Sequence, residues 1–166
     1  GGNLAFLRLD TALAVKSFKA YGSFYPNTNE YNSPMVVDDS GFIYAPAVCY
    51  INTAYFGNDS VIPFNLMLDV VLLKMDSLLN PVKMMPLYKS DYHLVYDMIY
   101  ANEGLYLVGR TGNTVFPNGS QLPNTFNGDN MVLKFNRAGQ ALWVSSSGNT
   151  NSASDHIRRI VSGDNG

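Results

Sequence analysis

The residues best suited to chemistry sit in two short, similar stretches. KSDYHLVYD (89–97) sets His93 beside Asp91, Tyr92 and Asp97, the types a general base and its orienting carboxylate require. SASDHIRRI (152–160) places His156 directly behind Asp155, in the same setting 63 residues later. That repetition favours a structural task for both histidines, a hydrogen bond at the start of a strand. Asp38, Asp39 and Ser40 make a compact acidic turn, and GDNG at 163–166 is similar. Calcium takes several oxygen ligands at close quarters, but neither stretch has the spacing of an EF-hand loop. A plain Gly turn is the expected reading, so no cofactor is expected and calcium is the one to test. Asp69 and Asp129 each open an apolar segment. Paired carboxylates about 5–9.5 Å apart would serve glycoside hydrolysis, whereas strand-start caps are the simpler role. Arg158 and Arg159 are adjacent, so on a strand they face opposite ways and cannot share an anion site. Cys49, in AVCYI, is the only cysteine and can form no internal disulfide; it reads as a core residue. No nucleophile elbow, phosphate loop, dinucleotide fingerprint or metal-spaced histidine cluster occurs. The expectation is a protein without catalytic residues.

Three long polar inserts hold the better candidates for binding. They are YPNTNEYNSP (25–34), YINTAYFGNDSVIPFN (50–65) and TGNTVFPNGSQLPNTFNGD (111–129). Loops carry recognition disproportionately, and aromatic rings beside Asn amides combine stacking area with hydrogen bonding. The candidate binding residues are Tyr25, Tyr31, Tyr55, Phe56, Phe116, Asn118 and Phe126. Alternatively, Tyr55, Phe56 and Phe116 pin their loops to the body.

Elements that position these loops emerge from the rest of the chain. Charged residues make up 14% and the net charge is −2, so the basic patch that a polyanion binder needs is missing and nucleic acid is not an expected partner. The longest apolar run, 66–75, is interrupted by Asp69 and Lys74 and is too short to span a bilayer. Polarity comes from Asn, Ser, Thr, Gly and Tyr, which suit turns and strands.

NLAFLRLD (3–10), DVVLLKMD (69–76) and DNMVLKFN (129–136) align. Arg8, Lys74 and Lys134 coincide, as do Leu7, Leu73 and Leu133, and Leu9, Met75 and Phe135. Asp10, Asp76 and Asn136 close the segments and are expected to cap turns by accepting backbone N–H bonds. Strand alternation puts each basic side chain opposite its apolar neighbours. Between these copies run MVVDDSGFIYAP (35–46), MIYANEGLYLVG (98–109) and IRRIVSGDNG (157–166). Their glycines, Gly41, Gly104 and Gly166, are expected at the positive-φ position of a hairpin. Pro81 and Pro86 suit an outer edge strand, because proline donates no ladder bond.

A unit of four antiparallel strands repeating about every sixty residues predicts an all-β chain of β-propeller blades. The outer strands of one blade fall in 3–24, a second blade in 33–88, a third in 94–148, and the first strand of a fourth in 156–166. GLYLVGRTGNTVFP (104–117), GDNMVLKFNRAGQALWVSSSGN and SDHIRRIVSGDNG resemble the bacterial β-propeller repeat called SBBP. Residues 104–166 carry the resemblance; earlier copies depart from it, with SLLN in place of a Gly turn after Asp76. The resemblance implies a scaffold in a large secreted or cell-surface protein. So few blades do not close a ring, which predicts a segment of a longer chain, or a ring completed by other copies. The expected function is a non-catalytic binding or assembly scaffold. Its partners are other protein chains or remaining blades. Lectin-like glycan binding comes second and hydrolysis third.

Overall fold

A computed structural model describes residues 2–24, 34–49, 53–62, 68–91, 93–122, 129–147 and 157–163. The described residues form fourteen strands and no helix. In order these are β1 (Gly2–Leu9), β2 (Val15–Phe24), β3 (Val36–Val37), β4 (Ile43–Cys49), β5 (Ala54–Phe56), β6 (Asp59–Val61), β7 (Leu68–Met75), β8 (Pro81–Ser90), β9 (His93–Ala101), β10 (Gly104–Thr111), β11 (Thr114–Val115), β12 (Gln121–Leu122), β13 (Asp129–Phe135) and β14 (Ala141–Ser147). Every pairing is antiparallel, as the composition and turn spacing lead one to expect. Among the described residues no helix is long and apolar enough to cross a membrane.

Three sheets stack. The first is the pair β1–β2; the second has the order β12-β11-β8-β7-β4-β3; the third has the order β14-β13-β10-β9. The run VVLL in β7 is apolar throughout because this central strand is buried on both faces. Val70 and Leu72 join one core cluster with Leu105, Leu107, Met131, Leu133 and Phe135 of the third sheet. Val71, Leu73 and Met75 join another with Phe6 and Phe24 of the first sheet and Phe56 of the small hairpin β5–β6. Lys74 lies opposite to Leu73 and Met75, as the alternation predicts. Its Nζ sits 3.9 Å from the centroid of the Phe42 ring and 5.4 Å from that of Tyr44. Cys49 is fully buried within the second cluster, and burial pushes its thiol up to about 12.

One local turn recurs. Oδ1 of Asp10 accepts bonds from the Ala12 and Ala14 amides at 2.9 Å each. Asp76 does the same for Leu78 and Asn80 at 2.8 Å, Asn136 for Ala138 and Gln140 at 3.0 Å, and Asp38 for Ser40 and Phe42 at 2.9 Å. The fourth residue of each turn has positive φ: Gly41 at 81° and Gly139 at 80°, but Leu13 at 61° and Leu79 at 66°. Two leucines thus occupy a conformation that favours glycine. The β9–β10 hairpin differs from expectation. Asn102 and Glu103 take the positive φ values, 46° and 58°, and Gly104 does not. A two-residue loop of this hand needs both central residues there, so Gly104 already belongs to the strand.

The second sheet is wider than a four-strand unit. The segment after Thr111 folds back, and β11 pairs Thr114 with Ser90 and Val115 with Lys89 on the outer side of β8. Buried hydroxyls join this corner: Ser90 and Thr111 share a hydrogen bond at 3.0 Å, and Thr114 bonds to Thr111 and to the Gly112 carbonyl. The rest of that β8 edge contains Pro81 and Pro86. There the amide of Met84 donates to Asp59 of β6 at 2.7 Å. The β5–β6 hairpin thereby protects this edge.

Candidate functional site

Three chain segments far apart in sequence enclose a groove of about 610 Å³. Strand β8 contributes Lys83, Met85 and Pro86. The β11–β12 turn contributes Phe116, Pro117 and Asn118. The β13–β14 turn contributes Ala138, Gly139, Gln140, Ala141 and Leu142. Each wall is set by its local turn. In the β11–β12 turn, the Gly119 amide donates to the Phe116 carbonyl at 2.9 Å, and Phe116 donates to the Ser120 carbonyl at 2.9 Å. Asn118 Oδ1 accepts from the Ser120 amide at 3.0 Å and from its hydroxyl at 2.7 Å. In the β13–β14 turn, Gly139 lies so close to Met85 that a Cβ there would stand 2.7 Å from the Met85 Cβ. That approach brings the third sheet's turn against β8.

The floor is apolar: Met85, Pro86, Phe116, Pro117 and Leu142. Three polar side chains, Lys83, Asn118 and Gln140, line the same groove. Asn136 Nδ2 donates to Gln140 Oε1 at 2.8 Å and so orients that amide. Asn118 adds a second amide, and Lys83 a cation. Among the described residues Lys83 enters no ion pair. Among the described residues the lining contains no carboxylate, thiol or imidazole. Such an arrangement can hold a ligand with one apolar side and a rim of acceptors.

Of the loop residues predicted to bind, Phe116 and Asn118 meet in this groove. Phe116 is buried and forms its floor, tilted against Tyr88 with ring centroids 6.1 Å apart. Tyr55 lies elsewhere, exposed on β5, and Phe56 is in the core, where Tyr21 meets it edge-on at 4.7 Å. Phe56 thus pins its hairpin. Tyr25, Tyr31, Phe126 and His156 lie outside the described residues. His93 begins β9, paired with Thr111.

The acidic turn is absorbed into a link between sheets. Asp38 Oδ2 accepts from the Tyr44 hydroxyl at 3.1 Å and lies 3.8 Å from Arg137 Nε. Asp39 pairs with Arg137 Nη2 at 2.7 Å and accepts from the Tyr100 hydroxyl at 3.1 Å. Arg137 also donates to the Tyr100 hydroxyl. Burial raises the Asp39 carboxyl, but the bonds from Tyr100 and Arg137 outweigh it, and its pKa falls below the ordinary value. Tyr44 is pushed up by burial and by Asp38. A guanidinium stands where a cation was considered. Among the described residues no three His, Cys, Asp or Glu side chains gather for a metal. Asp69, considered for catalysis, is buried and paired with Lys89 at 3.4 Å, its cross-strand neighbour.

Lys83, Arg137 and Gln140 escape a reading by residue type. One signal did point to Gln140. The fifth turn position reads Ala14, Asn80 and Gln140 in the three aligned hairpins, so it varies in chemistry where the first position stays Asp or Asn.

The chain matches no family model and no curated protein sequence.

Proposed function

We propose that this chain is a non-catalytic binding or assembly scaffold of the β-propeller type. Its place is within a larger bacterial secreted or cell-surface protein or complex. The observation that carries the reading is the groove, an apolar floor with Lys83, Asn118 and Gln140 around it, formed where the turns of two successive sheets meet. Two further features support it. The hairpins β1–β2, β7–β8 and β13–β14 share one turn chemistry. The carboxylates Asp10, Asp38, Asp76 and Asp69 are engaged in turns or ion pairs, which suits architecture better than turnover. The likeness of 104–166 to SBBP repeats supports the extracytoplasmic setting.

Glycan binding is the second reading. Two amides in a groove with apolar lining favour it, since sugars offer hydroxyls beside a C–H face. The test is a binding screen of oligosaccharides and extended peptides, with product analysis on every hit. A hit weakened about fivefold or more by Lys83→Ala or Gln140→Ala supports the groove. Conversion of a bound glycan would point to hydrolysis instead. A hit indifferent to both substitutions, or no hit at all, removes the groove from the reading.

A further inference from the structure

The backbone fixes which atoms the two amides of the groove keep for a ligand. Asn118 Oδ1 accepts from the Ser120 amide at 3.0 Å and from the Ser120 hydroxyl at 2.7 Å. A backbone N–H can only donate, so this oxygen is engaged within its own turn and Nδ2 is left over. In the β13–β14 turn Asn136 Oδ1 accepts from the Ala138 and Gln140 amides at 3.0 Å each, which makes Asn136 Nδ2 a donor. That Nδ2 donates to Gln140 Oε1 at 2.8 Å, and Gln140 is left with Nε2. Lys83 carries donors only. The atoms that the three polar side chains keep for a ligand are therefore chiefly N–H donors. Among the described residues these nitrogens have no partner.

Charge points the same way. Lys83 pairs with Lys74 across β7 and β8, so two cations share one face, where like charges directly opposite repel. Among the described residues neither enters an ion pair. Lys74 lies over the Phe42 ring instead. Asp38 and Asp39 are already matched by Arg137. The first turn position is Asp10 in one aligned hairpin and Asp76 in another, but it is the neutral Asn136 in the hairpin whose turn walls the groove. An aspartate there would bring a negative charge beside Gln140 and remove the donor that orients it.

We propose that the groove takes an acidic glycan, a chain of uronic-acid residues. One carboxylate pairs with Lys83, and neighbouring sugar oxygens accept from Asn118 Nδ2 and Gln140 Nε2. A carboxylate only accepts, and so complements side chains that offer donors. The C–H faces of the sugars rest on Pro86, Pro117 and Leu142, which are exposed in the lining. An acidic peptide would match the charge but finds no main-chain partner along β8. Pro86 has no N–H, the Met84 amide donates to Asp59, and Lys89 and Ser90 pair with β11. An extended chain therefore cannot add there as a strand. The inference rests on the groove reading and names its ligand class.

Calorimetric titration of the full chain with tetramers of galacturonate, glucuronate and mannuronate tests it. Each is run beside its methyl ester, which keeps the sugar and removes the charge, and beside hexaglutamate. At least one uronate should bind about tenfold or more tighter than its ester, and added salt should weaken the uronate far more than the ester. Lys83→Gln removes the cation. Gln140→Glu keeps Oε1 for Asn136 and replaces the free N–H donors by a carboxylate oxygen. Each should weaken the uronate about fivefold or more, and cost the ester less. Both side chains are exposed, and far-UV circular dichroism of each variant confirms the fold. Equal affinity for uronate and ester, or uronate binding that both variants leave unchanged, overturns the proposal. Hexaglutamate bound more tightly than every uronate, and weakened by Lys83→Gln, assigns the groove to acidic peptide and overturns it too. So does a chain that binds no uronate. A neutral glycan or peptide held through Lys83 and Gln140 would then keep the groove as a binding site, whereas failure of every ligand in the screen removes it, so the two readings fail separately.

Discussion

Leu7, Leu73 and Leu133 occupy the same position in three copies of one hairpin, so truncating each to alanine isolates what the stacking contributes. Leu73 and Leu133 are fully buried, each between two sheets. Removing a buried leucine loses transfer free energy and leaves a cavity, together about 2–5 kcal/mol. Leu7 is 52% exposed. It retains about half of the roughly 1.5–3 kcal/mol that full burial of a leucine supplies, and its removal opens onto solvent rather than into a void. Leu7→Ala should therefore cost about 1 kcal/mol or less. Urea unfolding followed by far-UV circular dichroism measures all three. The expected order is Leu7→Ala well below Leu73→Ala and Leu133→Ala, with unchanged m-values. Equal costs at the three sites, or a cost under about 1 kcal/mol at both buried sites, would refute the stacking.

Three further outcomes follow from the turns. Leu13→Gly should raise stability by about 0.5–1 kcal/mol, because Leu13 is 76% exposed at a φ of 61°. Leu79→Gly at the equivalent position should destabilise by about 2 kcal/mol or more, since its side chain is buried; paired urea titrations check both. Gly139→Ala, at a φ of 80° and against Met85, should cost about 1–3 kcal/mol and loosen the groove, seen in the same titration and in ligand affinity. Asp10 is held below the ordinary aspartate value near 3.8 mainly by the Ala14 amide, and Asp76 mainly by the Asn80 side chain. A depressed folded-state pKa gives stability that is complete above the unfolded value and is lost as pH falls through the lower, folded one. Asn136 makes the same amide contacts without titrating. Asp10→Asn with Asp76→Asn should flatten the fall in urea midpoint below about pH 4.

What could be read from the sequence was local or periodic. The Asp and Asn turns were legible because each is closed by bonds within five residues. The lysine's face was legible because strand alternation fixes it. Leu79 shows where such reading stops. Glycine is the local preference there, but a buried side chain and a carbonyl that accepts from Tyr21 at 2.7 Å outweigh it. The widening of the second sheet was hidden for a similar reason, since Thr111 and Thr114 find Ser90 only through the fold. The groove was hidden most of all. Phe116 and Asn118 stood out by type, yet Lys83 and Gln140 matter only because β8 and the β13–β14 turn bring them to the same loop. The Asp38–Asp39 turn was legible as a Gly turn, but its link to Arg137, about a hundred residues away, was not.

Recognition in the groove between successive sheets is most directly tested by two-dimensional NMR of the labelled chain during titration with the best ligand from the screen. Shifts should concentrate on the side-chain amides of Asn118 and Gln140 and the backbone amides of Phe116 and 138–142. They should saturate together, and the ligand should remain chemically unchanged. Shifts centred on Tyr55 and the β5–β6 hairpin, with the groove amides unmoved, would contradict that assignment.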